Sequence, residues 1–149
     1  MNIEDTLQDL QNQISDLKYQ LDGVRKIETG GVWQDWTPTP TGYSSTTTAA
    51  GRYCLVGKLC TVHLRLDGTS NSTSFSAVLP FKAGALGYTL YISSALAIDS
   101  AALVKTASTF IIVAGGTSVL FGKGITTSAA TWTASGRKLI TGSFSYEIA

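Results

Sequence analysis

Apolar residues at the start of the chain fall at Ile3, Leu7, Leu10, Ile14, Leu17, Leu21 and Val24, with gaps that alternate between four and three. That spacing is a heptad, with Leu7, Ile14 and Leu21 at a and Ile3, Leu10, Leu17 and Val24 at d. It predicts a helix of about six turns, roughly 35 Å long. So narrow an apolar stripe has nothing to bury it on a lone helix, so the seam predicts sister copies of the same chain. Leu and Ile are mixed along the seam and do not set the copy number. The flanking positions, Thr6, Gln13 and Gln20 at g and Glu4, Gln11, Lys18 and Arg25 at e, place no acid opposite a base. The alternative is an amphipathic helix packed on its own domain.

The helix carries its own punctuation. Asn2 is a suitable N-cap, Glu4 and Asp5 suit the first turn, and Arg25 and Lys26 suit the last. Glu28 occupies the next a position and breaks the seam, and Thr29-Gly30-Gly31 ends the helix. The expected organisation is a coiled-coil stem over 1–28, a junction over 29–41 and a head domain over 42–149.

Beyond the stem the periodicity changes from seven to two. Cys60, Val62, Leu64 and Leu66 alternate with Thr61, His63, Arg65 and Asp67, which reads as a strand with one buried face. With RYCLVG over 52–57 it makes a strand pair, preceded by a polar strand or loop over 43–50. Further strands are expected at 75–79, within 86–98, at 101–105, at 110–114, around 119–121 and from about 138 to 148. The run FIIVA at 110–114 is apolar throughout and is expected to be covered on both faces. On the last strand Ile140, Phe144, Tyr146 and Ile148 share a face with Gly142. Eight or nine short strands without helices predict an antiparallel β-sandwich or jelly roll. The fold class is therefore mainly β behind an N-terminal α-helix. Pro38 and Pro40 bar a helix from the junction. Trp33 and Trp36 there are expected to pack under the head and seal the stem junction, or else to serve as sugar platforms.

Charge narrows the partners. Of 149 residues only 14% are charged. Residues 1–28 carry a net −3 and the remainder a net +4, which leaves no basic footprint for nucleic acid and no polybasic membrane patch. No apolar run has the length of a membrane span, and the acidic, heptadic start is unlike a signal peptide. Cys54 and Cys60 flank Val56-Gly57-Lys58, where a hairpin permits either a disulfide or two free thiols.

Little points to catalysis. Beyond the stem there is one histidine, His63, and four acids, Asp35, Asp67, Asp99 and Glu147. No close carboxylate pair offers glycosidase chemistry, and His63 with Asp67 is too little for a triad. No phosphate loop is present, since Gly122-x-Gly124 alone is too short a pattern. His63 is expected at solvent or at a subunit contact, with an axial metal held by three copies as the sharper alternative. No cofactor and no metal are expected. Asn71-Ser72-Thr73 matches a glycosylation acceptor but reads as a turn.

The residues from 32 onward resemble the C-terminal domains of tailed-bacteriophage fibre proteins. The resemblance rests on Trp33-x-x-Trp36-Thr37-Pro38-Thr39, Tyr53-Cys54-Leu55-Val56-Gly57-Lys58, Gly68-Thr69-Ser70-Asn71, Leu79-Pro80-Phe81 and Gly142-Ser143-Phe144-Ser145-Tyr146-Glu147. It implies a homotrimer of β-sandwiches on a coiled-coil stem, displayed on a virion assembled in the host cytoplasm. It brings no catalytic residue with it. The expected function is a non-enzymatic tail-fibre or receptor-binding protein that attaches to a host-surface glycan, with other virion proteins held through the stem. Trp132, in the polar connection 124–136, is the first candidate for the glycan contact, followed by Tyr43 and Tyr88. The competing reading for Trp132 is burial between subunits. Because the heptads begin at Ile3, a head fibre or capsid decoration with a structural role is the alternative function.

Overall fold

The computed structural model describes residues 7–18, 31–70, 72–100, 102–103, 108–124 and 132–149. Ile3, Leu21 and Val24 of the seam lie outside these residues, as do Asn2, Arg25, Lys26 and Asn71. The chain divides into two compact units, Met1–Val32 and Trp33–Ala149.

In the first unit residues 7–18 form a helix, α1. Two side-chain hydrogen bonds brace its polar surface one turn apart, Gln13 Nε2 to Asp9 Oδ2 at 2.9 Å and Gln8 Nε2 to Asn12 Oδ1 at 3.4 Å. The a and d residues on it are half exposed or more: Leu7 53%, Leu10 50%, Ile14 51% and Leu17 64%.

The second unit is built from β1 (Trp33–Trp36), β2 (Pro40–Thr41), β3 (Ser45–Val56), β4 (Leu59–Thr69), β5 (Ser76–Val78), β6 (Leu90–Asp99), β7 (Ala102–Leu103), β8 (Ser108–Ile112), β9 (Ser118–Gly122) and β10 (Arg137–Glu147). Every pairing is antiparallel. Nine strands follow one hydrogen-bonded path, β1-β3-β4-β10-β6-β8-β9-β5-β2, and β7 pairs with β6 beside it. The architecture is thus a single curled antiparallel sheet, a half-barrel, where two facing sheets were expected.

Two features curl it. The register shifts between Thr46 and Thr48 and again between Ser93 and Ala95, and an extra residue in one strand bends it and adds twist. The second shift lies where β6 changes partners. Its residues from Ala95 to Asp99 pair with β10 on one side, whereas Leu90 to Ala95 pair with β8 on the other. One strand therefore serves both halves, and the sheet wraps around its own core.

The sequence expected a linker at 29–41, but β1 and β2 lie within it. β1 pairs with β3, and β2 pairs with β5. Both form ends of the sheet path, where Pro40 is tolerated because an edge residue needs no ladder donor. The 43–50 stretch belongs mostly to β3, whose hairpin with β4 turns at Gly57-Lys58.

The core follows the period-two pattern. Cys60, Val62, Leu64 and Leu66 are all buried, and so are Ile140, Phe144 and Tyr146 on β10. All five residues of β8 are buried, whereas Val113 just beyond it is 48% exposed. Aromatic rings run through the interior: Tyr43 against Phe75 at 5.2 Å, Phe75 against Phe121 at 5.4 Å, Phe121 against Phe110 at 6.0 Å and Phe110 against Phe144 at 4.7 Å. These are the tilted and edge-on contacts that ring quadrupoles favour. Tyr146 closes the row, and its hydroxyl donates to Phe81 O at 3.0 Å.

Cys54 pairs with Thr61 and Cys60 pairs with Leu55. Alternation along the strands sends the two side chains to opposite faces, and both thiols are free. Burial pushes the Cys60 thiol above its ordinary pKa.

Candidate functional site

An open groove of about 610 Å³ lies in the second unit, on the face of β1, β3, β4 and β10 turned away from the core. It follows from register. Trp36, Gly51, Leu64 and Gly142 form one cross-strand row. Their side-chain directions point to the core, so this row gives the groove a floor of backbone. Floor and core are tightly joined at the two glycines. A Cβ on Gly51 would run into the Trp36 ring, and one on Gly142 would stand 2.7 Å from Ser94 O and 3.0 Å from Ala95 Cα.

Polar rows flank the floor. On one side Asp35, Arg52, His63 and Ser143 are in register. On the other, Ala50, Arg65 and Thr141 are in register, and Thr37 adds a hydroxyl. Arg52 Nε stands 3.0 Å from Asp35 Oδ1 in an ion pair whose side chains are both well exposed, so the pair adds little to stability. Arg65 is exposed and has no ion-pair partner among the described residues. The carboxylate two positions along, Asp67, is held by Arg137, which donates through Nε at 2.9 Å and Nη2 at 2.6 Å. That fork, with the Arg65 charge adding to it, keeps Asp67 below the usual carboxylate range.

His63 is exposed at the groove, and its ring lies 4.4 Å from that of Trp33. Trp33 therefore stands on the outer face, half-buried over β3, while Trp36 packs against the core cluster. The two indoles of one short strand serve opposite faces, as period-two geometry requires.

The first glycan candidate is corrected by its burial. Trp132 is 2% exposed. Its Nε1 donates to Phe121 O at 2.8 Å, and its ring stands 4.5 Å from Phe75. The indole is covered by its own chain, so it presents no face to a sugar, nor is a second subunit needed to bury it. Tyr43 is half-buried against Phe75 and its hydroxyl finds no hydrogen-bond partner among the described residues. Burial, with the Asp67 charge adding to it, pushes that hydroxyl well above the ordinary phenol range. Tyr88 is 60% exposed and lies outside the groove. Trp132 and Tyr43 share the Phe75 ring inside the fold, and neither joins the exposed Tyr88 in a surface site.

Among the described residues no group of three or more His, Cys, Asp or Glu is placed to hold a metal ion, and no helix is long and apolar enough to cross a membrane. The sequence showed Arg65 on a polar face and Asp35 as a lone acid, but not that they and Arg52 meet, because each is a single charge on its own strand. The polar face of β4 was legible without pointing to a groove, because its neighbours on β1 and β10 are set by pairings between distant parts of the chain. No family model, no curated protein and no solved structure matches the chain.

Proposed function

We propose that the chain is a non-enzymatic, homotrimeric virion fibre that attaches to a glycan on the host surface through its β-rich head. The observation that carries this reading is the stripe of Leu7, Leu10, Ile14 and Leu17, apolar at heptad spacing and 50 to 64% exposed. Covering a fully exposed Leu or Ile contributes about 1.5–3 kcal/mol, so the stripe favours association with identical stripes. The copy number of three rests on the resemblance to tailed-phage fibres carried by the motifs between Trp33 and Glu147.

The state of the acids supports a binding rather than a catalytic role. Asp35, Asp67 and Asp99 each lie against a cation of the same chain and Glu147 is the remaining acid of the second unit, so among its described residues no opposed pair of free carboxyls stands ready for glycoside cleavage. Attachment would then come from avidity. Three weak sites on one stem act at effective concentrations in the ~mM range. Light scattering during size-exclusion chromatography tests the assembly directly. Three copies per particle is the expected mass, and a stable single copy at micromolar concentration overturns the proposal.

A further inference from the structure

We propose that the outer groove over β1, β3, β4 and β10 binds an acidic saccharide, with its anionic group on Arg65 and its ring beside the Trp33–His63 pair. The proposal deepens the attachment reading by assigning it a place and a ligand class, though the groove itself is complete in one chain.

The chemistry of the walls selects the class. Arg65 is an exposed guanidinium that makes no direct ion pair among the described residues; Asp67, two positions along its strand, feels its charge but spends both oxygens on Arg137. Arg52 is paired with Asp35 at the surface, and an exposed pair of this kind yields readily to a competing anion. Guanidinium forks match carboxylate and phosphate oxygens with two parallel hydrogen bonds. Thr141, Ser143 and Thr37 add hydroxyls that both donate and accept, which suits the alternating hydroxyls of a sugar. Trp33 does not line the groove, but its ring lies 4.4 Å from that of His63, which does, and beside it offers the flat apolar surface that sugar C–H faces need. The volume of about 610 Å³ falls within the ~300–1,000 Å³ of small-ligand sites. A nucleic acid strand fits less well, because the second unit's surplus of cations is small and this groove holds only part of it.

The test is titration calorimetry on the full chain with trigalacturonate, glucose 6-phosphate and neutral maltotriose, and light scattering on the same samples. Trigalacturonate or glucose 6-phosphate is expected to bind, and maltotriose at least about tenfold more weakly. The stronger of the two acidic probes identifies the anion as carboxylate or phosphate. Arg65→Ala is expected to lose at least about tenfold in affinity for the acidic probe, and Arg65→Lys to recover only part of it. Unchanged circular dichroism shows that these exposed substitutions leave the sheet folded. Equal binding of maltotriose, no binding of either acidic probe at millimolar concentration, or tighter binding of oligothymidylate overturns the proposal. So does a change in copy number on Arg65→Ala, which makes the groove a subunit contact. Acidic-probe binding by a chain that remains a single copy upholds the groove and removes the fibre reading.

Discussion

Lys138 Nζ stands 2.9 Å from Asp99 Oδ1, and neither side chain is open to water, at 0% and 3% exposure. The remaining oxygen of Asp99 accepts from Lys123 Nζ at 2.7 Å and from the Thr133 amide and hydroxyl at 3.0 Å each. Lys138 also donates to Ser135 O at 2.6 Å. This network fastens the start of β10 to the end of β6. It also sets the chain entering β10 just after Trp132, so one buried carboxylate organises the segment that carries the buried indole.

That carboxylate predicts an acid dependence. Burial opposes the charge on Asp99, but the cations and donors around it win and hold its pKa below the ordinary range. A depressed pKa means that the folded state gains stability from the ionised group. The gain is fully present above the unfolded value near 3.9 and is lost as pH falls from there toward the native value. Asp67, depressed chiefly by its bond to Arg137, acts in the same direction. Urea unfolding is expected to give a stability that is flat from pH 7 to about 5 and falls below about 4. Asp99→Asn should cost about 3–5 kcal/mol at pH 7, because it leaves Lys138 buried and unpaired, and should flatten the acid limb. Equal wild-type stability at pH 3 and pH 7 would contradict this.

Trp132 gives a second prediction, on stability rather than adsorption. Trp132→Ala removes a buried ring packed on Phe75 and orphans the Phe121 carbonyl. The expected loss is about 3–5 kcal/mol in urea unfolding, and Trp132→Phe should retain much of it. A Trp132→Ala chain with wild-type stability would show that the indole is dispensable to the core.

The groove floor gives a third. Gly142 lies against Ser94 O and Ala95 Cα across the β10–β6 pairing, with the Phe110 ring 3.0 Å from where a Cβ would be. Backbone atoms there cannot step aside, so Gly142→Ala is expected to cost about 1–3 kcal/mol by overpacking. Thr141→Ala, one residue away on the outer face, should cost far less. Thermal melts of the pair distinguish the faces, and equal shifts would mean that the assignment of faces is wrong.

How far the sequence disclosed this protein depended on the range of the interaction. The alternation from Cys60 to Asp67 depends on one strand's own pleat, so its buried and polar faces were legible. The apolar run of β8 was legible for the same reason. Trp132 was not, because its neighbours are Thr, Ala, Ser and Gly, and only the distant Phe75 and Phe121 decide that the indole turns inward. The strands at Trp33–Trp36 and Pro40–Thr41 were hidden by prolines that forbid helix but do not forbid an edge strand. Of the groove's residues, His63 and Arg65 stood out as a polar face, but Asp35 and Ser143 join them only through the β1–β3 and β4–β10 registers. Period alone gives no register between strands far apart in the chain.

The last prediction concerns the helix. Leu10 and Ile14 lie one turn apart on α1, at d and a, and each exposes about half its surface, 50% and 51%. Nothing in a solvated lone helix holds such a stripe, whereas each fully buried Leu or Ile contributes about 1.5–3 kcal/mol. The double variant Leu10→Asp, Ile14→Asp puts two charges into each helix of the proposed seam and should leave only single chains in light scattering at micromolar concentration, where the unaltered chain is expected as three copies. Its β circular dichroism should persist, because the sheet unit has its own core from Cys60 to Tyr146. Deleting residues 1–28 should act in the same way. Loss of the β signal in both variants would mean that stem and sheet fold only together, and an unchanged particle mass in the double variant would show that the seam is not what joins the copies.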